Sequence, residues 1–333
     1  MSQALQALTT ILIGLGACVG YFFLSNKFVD MIWPPRGRNA GRNINRANMV
    51  RPWLFLFPAL FALGLYLGYP VIETLRLSLM ERIPGGGYAW VGTENYARMF
   101  QEPKFWEAMR NNMLWLLVVP AASTGFGLLT AQLTDSIRWG RIAQMLIFMP
   151  MAISFVGAAV IWKLVYDARP IEQEQIGILN AIVVALGGEP ETWLTVPFWN
   201  NFFLMLVLVW IQTGFATVIL SAALRGIPEE TVEAAIVDGA NPFQIFFKIK
   251  VPQISTTILV VWTTITIVVL KVFDIVYAMT NGQWETQVLA NYMFDKLFRA
   301  NDWGVGSASA MVIMVLVLPI LVWNVRNARK EME

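Results

Sequence analysis

Residues 202–224 read FFLMLVLVWIQTGFATVILSAAL, a run without a single charged side chain. About 20 apolar helical residues are enough to cross a hydrocarbon core of roughly 30 Å. In lipid each segment must satisfy its own backbone polar groups, so a continuous apolar run of this length forms a helix rather than the alternating strand of a barrel. The segment therefore predicts a transmembrane α-helix.

Six further runs of similar length and composition lie along the chain, and only Lys163, Lys271 and Asp274 bring charge into any of the seven. The overall composition agrees, because 57% of the 333 residues are hydrophobic and 14% are charged, against about 25% charged in an average soluble domain. We predict an all-α, polytopic membrane protein with seven transmembrane helices. Their approximate bounds are 4–24, 53–72, 113–133, 143–165, 202–224, 255–279 and 305–324.

Side chains that carry catalysis or bind metals are scarce. The chain has no histidine and one cysteine, Cys18, so it lacks the usual proton shuttle, the commonest metal ligand and any intramolecular disulfide. It also lacks the Gly-x-x-x-x-Gly-Lys-Ser/Thr loop that cradles nucleotide phosphates, and a basic run interleaved with aromatics that would indicate nucleic-acid binding. We predict no catalytic residue, no metal site and no cofactor bound by this chain. A membrane enzyme would need convergent acid–base or metal groups.

Loop charge predicts how the chain crosses the membrane. Segments 25–52, 134–142, 225–254 and 325–333 hold 14 of the 24 Lys and Arg residues but only 8 of the 22 Asp and Glu residues. Basic loops stay in the cytoplasm, so we expect the N-terminus outside and the C-terminus inside. We expect residues 1–24 to be a retained helix rather than a signal peptide, because their positive charges follow the apolar run instead of preceding it.

One of these loops, 225–252, reads RGIPEETVEAAIVDGANPFQIFFKIKVP. A proline followed by two glutamates at 228–230 favours a helix start, and Gly239 suits the left-handed conformation that ends a helix. We predict a short cytoplasmic helix over 229–238, a glycine corner, and a second, aromatic-rich helical stretch before Pro252. By periodicity alone, the loop could equally be an ordinary amphipathic hairpin between two spans.

The spacing of residues in this loop resembles the EAA signature of permease subunits in binding-protein-dependent ABC importers. Glu-Ala-Ala at 233–235 precedes Gly239 by three residues, and nine more residues lead to Ile-Lys-Val-Pro at 249–252. Other segments are similar to the carbohydrate branch of that family, typified by the maltose and glycerol-phosphate permeases. The first helix and its arginine-rich sequel are most similar to the α-glucoside permease branch. The further matching segments are 91–96, 111–112, 161–167, 177–181 and 273–282.

This resemblance implies a domain organisation. A six-helix, maltose-permease-like ABC importer core covers 51–326 and includes the coupling loop 225–252. Outside the core lie an extra N-terminal transmembrane helix over 1–26, a basic cytoplasmic linker over 27–50 and a cytoplasmic tail over 327–333. The glycine and asparagine content of the basic segment favours a flexible, solvated linker.

The resemblance also implies a function, that of a non-catalytic permease subunit of an ATP-driven carbohydrate importer in a bacterial inner membrane, for example for an oligosaccharide such as an α-glucoside. Its partners would be a second homologous permease, two ATPases that bind ATP and Mg²⁺, an extracytoplasmic sugar-binding protein and membrane lipid, but no nucleic acid. In this family the short helix of the loop docks into a cleft of the ATPase, where small residues let a partner backbone approach closely. The implied coupling residues are Glu233, Ala234, Ala235, Asp238, Gly239, Ala240, Ile249 and Pro252.

The charges inside the spans are candidates for the transport path, because a charge in lipid needs a partner or an aqueous cavity. Lys271 and Asp274 lie three residues apart on one predicted helix, close enough to pair, and a substrate contact is the alternative. In a stand-alone secondary transporter these two residues would couple ion movement. A sugar needs planar hydrogen-bonding groups and aromatic platforms. The fifth span offers Trp210, Gln212, Thr213 and Phe215 at the level where the maltose permease binds sugar.

Overall fold

The computed structural model describes residues 3–37 and 39–332 of the chain. In this part the regular secondary structure is helical apart from a two-stranded antiparallel hairpin, β1 (Met80–Arg82) and β2 (Tyr88–Trp90). By its internal contacts it divides into two compact units, Met1–Glu73 and Thr74–Glu333. The all-α prediction is confirmed.

The first unit contains two long helices, α1 (Gln3–Ile32) and α2 (Ala40–Leu63), and a π-helical turn at Gly64–Gly68 leads from α2 into α3 (Tyr69–Ser78). The basic segment over 27–50 is therefore not the flexible linker that its composition favours, because both of its ends are helical. Its Arg38 lies outside the described residues. The most apolar stretches of α1 and of Ala40–Ser78 contain no buried residue, as expected of helix surfaces that face lipid.

Two polar contacts hold α1 against α2. Arg51 forms an ion pair with Asp30 near the turn between the helices, and the Tyr21 hydroxyl donates a 2.8 Å hydrogen bond to the Leu54 carbonyl. Leu54 carries the carbonyl that Pro58, four residues later, cannot bond, because proline has no backbone N–H. A free carbonyl is costly in lipid. Tyr21 therefore satisfies the group that Pro58 leaves unpaired.

The second unit is built around two long helices that lie against each other. These are α5 (Pro103–Asp135) and α9 (Trp199–Arg225). They approach closely at Gly127, where an added Cβ would overlap Ala216. One helical turn further on, the hydroxyls of Thr130 and Thr217 lie 2.5 Å apart. Small residues and hydroxyl pairs are the usual means by which membrane helices pack. The other helices of this unit are α4 (Glu94–Gln101), α6 (Gly140–Phe148), α7 (Phe155–Val165), α8 (Ile178–Ala185), α10 (Glu229–Val237), α11 (Pro242–Ile245), α12 (Val251–Gln253), α13 (Ser255–Leu270), α14 (Asp274–Met279), α15 (Leu289–Phe294) and α16 (Trp303–Met332).

Within the described residues, five helices are long and apolar enough to cross a membrane, and two bent helix pairs raise the number to as many as seven. One pair is Gly140–Ala152 with Phe155–Val165, bent by 105°; the other is Pro242–Gln253 with Ser255–Leu270, bent by 71°. The first bend follows a 3₁₀ turn that contains Pro150, after which Ser154 caps the new helix by accepting from the Gly157 amide. The predicted seven spans match the upper number.

The span predicted over 255–279 is interrupted. α13 ends at Leu270, and α14 begins only at Asp274. The break exposes Lys271 and puts Asp274 in the first turn of α14, where a carboxylate complements the positive end of the helix dipole. The predicted tail over 327–333 instead continues α16 to Met332, and Glu333 lies outside the described residues.

Candidate functional site

The loop 225–252 folds as a helix, a glycine corner and a second helical stretch, which confirms the local prediction. α10 ends in a Schellman motif: the amide of Ala240 donates to the Ala235 carbonyl and that of Gly239 to the Ile236 carbonyl, both at 3.0 Å. The motif needs a left-handed residue after the cap, and Gly239 has φ of +79°. The corner is therefore fixed by backbone bonds rather than by side chains.

The second stretch of the loop starts at a capping box. The Asn241 side chain accepts from the amide of Gln244, and the Gln244 side chain accepts from the amide of Asn241, each at 2.9 Å. This reciprocal arrangement satisfies two of the free amides at a helix start. A π-helical turn at Phe246–Lys250 then leads into α12. Both halves of the loop have defined starts and ends.

The implied coupling residues do not all face the same way. Ala235 is buried against its own chain, so it does not belong to the surface open to a partner, because the helix turns it away from its exposed neighbours. The Glu233 carboxylate has no hydrogen bond or ion pair to the rest of the described chain. Of the remaining set, Ala240 and Ile249 are half-buried, and Glu233, Ala234, Asp238, Gly239 and Pro252 are exposed.

Large apolar side chains on the same loop are exposed, and of these Ile236 and Val237 were not predicted from the sequence. Val237 is 86% exposed, Phe243 78% and Ile236 58%. Exposed apolar residues grouped on one protrusion mark a surface that a partner or membrane covers. The available signal was an apolar pair, Ile-Val at 236–237, on the end of a short helix flanked by acidic residues.

An apolar cavity of about 430 Å³ lies between α10 and the stretch that follows the corner. Val232 and Ile236 form one wall, and Pro242, Ile245 and Phe246 form the other. Ile245 is buried there, so the two halves of the loop pack on each other. The loop is a preformed protrusion rather than a flexible connection.

On α9 the structure separates the four candidate path residues into two kinds. Gln212 is only 6% exposed, yet no described group hydrogen-bonds its carboxamide. Trp210 is half-buried and meets Trp162 edge to face at 5.7 Å. The Thr213 hydroxyl, in contrast, donates to the Val209 carbonyl at 2.7 Å. Phe215 and Trp210 both pack against the hydrophobic core. Of the four, the Gln212 carboxamide is thus the buried polar group that keeps unused binding chemistry.

Lys271 and Asp274 do not form the predicted ion pair. The helix breaks between them, and neither makes an ion pair or side-chain hydrogen bond with any described residue. The third intramembrane charge, Lys163, donates from Nζ to the Ala278 carbonyl at 3.2 Å. Lysine near a helix C-terminus satisfies free carbonyls and complements the dipole. Lys163 therefore has a structural partner at the end of α14, whereas Lys271 and Asp274 do not.

At the end of α5 opposite the coupling loop, the segment after α14 is held in an unfavourable backbone conformation. Asn281, Trp284 and Glu285 all have positive φ, between 53° and 60°. A left-handed conformation costs a residue with a Cβ about 1–2 kcal/mol. Such a cluster persists only where surrounding contacts fix it.

Asparagines from two helices supply those contacts. Nδ2 of Asn111 on α5 donates to the carbonyls of Glu285 and Gln287, each at 2.8 Å. Nδ2 of Asn200 on α9 donates to the carbonyl of Trp284 at 2.5 Å. Both asparagines are buried, where an unmade hydrogen bond is costly. The 280–288 segment is thereby fastened to the ends of α5 and α9.

Charged groups near this segment are paired with one another. Lys296 Nζ lies 2.6 Å from a Glu102 oxygen, and the other Glu102 oxygen accepts from the Tyr292 hydroxyl at 2.9 Å. Burial raises the pKa of Tyr292, and its hydrogen bond to the Glu102 carboxylate raises it further. Tyr292 therefore stays protonated at neutral pH and serves as a hydrogen-bond donor.

Comparison with known proteins places this geometry in context. Residues 123–328 match the family model described as the binding-protein-dependent transport system inner membrane component. The chain is 63% identical, over 99% of both lengths, to the alpha-glucoside transport system permease protein AglF of Rhizobium meliloti (strain 1021). It is 46% identical to the osmoprotective compounds uptake permease protein GgtC of Synechocystis sp., over 84% of this chain and 99% of that protein.

A solved structure has the same fold. It is a chain from the crystal structure of a bacterial alginate ABC transporter in complex with an alginate pentasaccharide-bound periplasmic protein, and it superposes with a TM-score of 0.74. The match covers 89% of this chain and 99% of that one, at 20% sequence identity. At that identity the likeness is one of fold.

Proposed function

The chain belongs to the family of inner membrane components of binding-protein-dependent transport systems, and from this membership we propose that it is the permease subunit of an ATP-driven importer for a carbohydrate of the α-glucoside class. The observation that carries the proposal is the preformed α10 protrusion, which bears the EAA spacing and an exposed apolar tip. A surface of this kind is suited to a protein partner. ATP and Mg²⁺ would bind to separate ATPase subunits.

The substrate class rests on two supports. A relative with 63% identity over nearly the whole chain is named for α-glucoside transport. The chain itself offers Trp210 and Gln212, a ring and a carboxamide that lie two residues apart on α9 and so on different faces of the helix. Sugars present C–H faces that stack on aromatic rings and hydroxyls that bond planar amides. We therefore assign the unshared Gln212 carboxamide to the sugar path. Trp210, which packs on Trp162, and Thr213 and Phe215 are left as packing residues.

Coupling would work by movement of the loop. When the ATPases close on nucleotide, α10 is carried with them, and the membrane helices change from one access state to the other. The exposed Glu233 carboxylate would form a charge-assisted contact with the ATPase. A second, related permease and an extracytoplasmic sugar-binding protein would complete the assembly, with the N-terminus outside and the C-terminus in the cytoplasm.

Purification from the native membrane tests the proposal. The tagged chain is extracted in mild detergent, and everything that accompanies it is identified by mass spectrometry. We expect an ATPase, a second permease with an EAA loop and a binding protein, and we expect the reconstituted assembly to take up α-glucoside only with ATP. A chain that purifies alone and transports without ATP would reject the proposal in favour of an ion-coupled carrier that uses Lys271 and Asp274.

A further inference from the structure

We propose that Arg225 is the positioning residue that transmits movement of α10 to the membrane helices. The last turn of α5 receives this movement. The inference rests on the proposed function and adds to it the route of the mechanical signal. Arg225 is the last residue of α9 and stands four residues before the start of α10. It is therefore the point at which the coupling loop leaves the membrane domain.

One guanidinium joins three helices at this point. Arg225 Nε donates to a carboxylate oxygen of Asp135, the last residue of α5, at 3.0 Å. Arg225 Nη2 donates at 3.0 Å to the carboxamide oxygen of Gln144 on α6. Arginine suits this role because its planar group fixes the direction of several hydrogen bonds at once. The C-terminal ends of α5 and α9 and the middle of α6 are thus tied together by one side chain.

Buried hydroxyls anchor the network. Arg225 Nη2 also lies 2.9 Å from Ser221 Oγ, and Gln144 Nε2 donates to Ser221 and to Thr134, each at 2.9 Å. Ser221 and Thr134 are buried, whereas the charged partners are 49% and 38% exposed. An exposed ion pair adds little to stability. The network is therefore better suited to fixing geometry than to holding the fold together.

The C-terminal end of the coupling loop contacts the same part of α5. Lys250 Nζ lies 3.3 Å from the carboxamide oxygen of Gln132. Gln132 and Asp135 are three residues apart and so occupy one face of the helix. Both ends of the coupling loop are thus tied to the final turn of α5, and a displacement of α10 pulls on that turn through two contacts.

α5 can carry the displacement across the membrane. It has 33 residues, with Pro120 inside the helix, and at 1.5 Å per residue it is about 50 Å long. At its far end Asn111 donates to the carbonyls of two residues in the strained 280–288 segment. One helix therefore connects the coupling loop to that segment. Packed secondary-structure elements of this kind can couple distant sites physically.

The test uses the complete reconstituted transporter with its binding protein and α-glucoside, and it measures sugar imported per ATP hydrolysed. We expect Arg225→Gln and Asp135→Leu each to keep the ATPases bound but to lower this ratio about tenfold. The double variant Arg225→Asp with Asp135→Arg restores the pair with reversed charge and should recover most of the ratio. If the pair only stabilised the fold, the variants would differ in how much transporter assembles and not in sugar imported per ATP.

Arg169→Gln is the matched control, because it breaks an exposed arginine–carboxylate pair, with Asp167, that lies outside both α5 and the coupling loop; its ratio should equal that of wild type. If Arg225→Gln fails to assemble, Asp135→Leu decides, since it leaves Arg225 in place but removes the acceptor oxygen. Normal coupling in Asp135→Leu would overturn the inference alone. Wild-type uptake that proceeds without ATP hydrolysis would overturn the proposed function, and this inference with it.

Discussion

The amide of Ala240 donates a hydrogen bond of 3.0 Å to the carbonyl of Ala235, and the chain can close this bond because Gly239 between them is left-handed. The bond ends α10 and turns the chain sharply back along it. Val237, directly before the corner, is 86% exposed, whereas Ile236 beside it lines the cavity within the loop. The proposed coupling through α10 depends on this corner.

Gly239→Asp is expected to abolish recovery of the ATPase with the purified chain. A Cβ at Gly239 meets nothing within 4 Å in its own chain, so the expected loss arises at the partner surface and from a left-handed backbone cost of about 1–2 kcal/mol. Thermal unfolding of the detergent-solubilised chain should stay close to wild type. Gly187→Asp is the control, because Gly187 is also left-handed with open space around it but lies outside the coupling loop. Equal loss with both variants would contradict the assignment.

Val237→Ser should weaken ATPase binding about tenfold, because burying a valine side chain contributes roughly 1.5 kcal/mol or more. The measurement is the affinity of the purified ATPase for the chain in nanodiscs. Leu186→Ser is the matched control, since Leu186 is 84% exposed against 86% for Val237 but follows α8 instead of lying on the coupling loop. Unchanged affinity in Val237→Ser would show that the apolar tip is not the contact.

Local chemistry predicts the coupling loop well. A proline and two glutamates at 228–230 and a glycine at 239 specify the start and the end of α10, because the interactions that begin and end a helix lie within one or two turns. The direction in which each residue faces is a different matter. Ala234 and Ala235 are identical in sequence terms, yet one is exposed and the other buried, because packing of α10 on the following stretch sets the rotation of the helix.

Gln212→Leu should lower α-glucoside uptake about tenfold while ATPase binding is retained. The reason is that leucine cannot make the hydrogen bond that the free Gln212 carboxamide would make to a sugar hydroxyl. Thr213→Val is the neighbouring control. Its hydroxyl is already used by the Val209 carbonyl, so uptake should remain within about twofold of wild type. The measurement is initial uptake of labelled sugar in proteoliposomes. The reverse ranking of the two variants would exclude Gln212 from the path.

Lys271→Met and Asp274→Asn should have additive effects on the free energy of unfolding, because the helix break keeps the two groups from pairing. Residues without a shared partner add to within about 0.5 kcal/mol. Single and double variants are compared by denaturant unfolding of the detergent-solubilised chain. A coupling energy above about 1 kcal/mol would restore the ion pair predicted from sequence.

Asn111→Leu should lower the free energy of unfolding by about 2 kcal/mol, since it leaves the Gln287 carbonyl without its donor and the Glu285 carbonyl with the weaker 3.2 Å bond from Asn201. Asn281→Gly is not expected to lower the free energy of unfolding. Asn281 has φ of 53°, so glycine removes left-handed strain and should be neutral or slightly stabilising. Both are measured by thermal unfolding. Destabilisation by Asn281→Gly together with a neutral Asn111→Leu would refute the description of this segment.

The broken spans and the helical linker lie beyond what a sequence window can predict. Mean hydropathy over about 20 residues predicts 255–279 as one span. Such an average does not show the break at Lys271 and Asp274. The Asp30 and Arg51 side chains that fasten the turn between α1 and α2 are 21 residues apart, and their pairing is a tertiary event. Composition indicates that a segment is polar, but not that two helix ends meet there.

Cross-linking from α10 identifies the subunit that the coupling loop contacts. In a Cys18→Ser background, Ala234→Cys puts a single thiol of this chain at an exposed position of α10, and a short reagent with a thiol-reactive and a photoreactive end is applied to native membranes. We expect one principal product, in which mass spectrometry identifies a subunit carrying a nucleotide-binding phosphate loop. A thiol that is fully labelled in membranes still active in transport, and yet forms no product with any ATPase, would contradict this expectation.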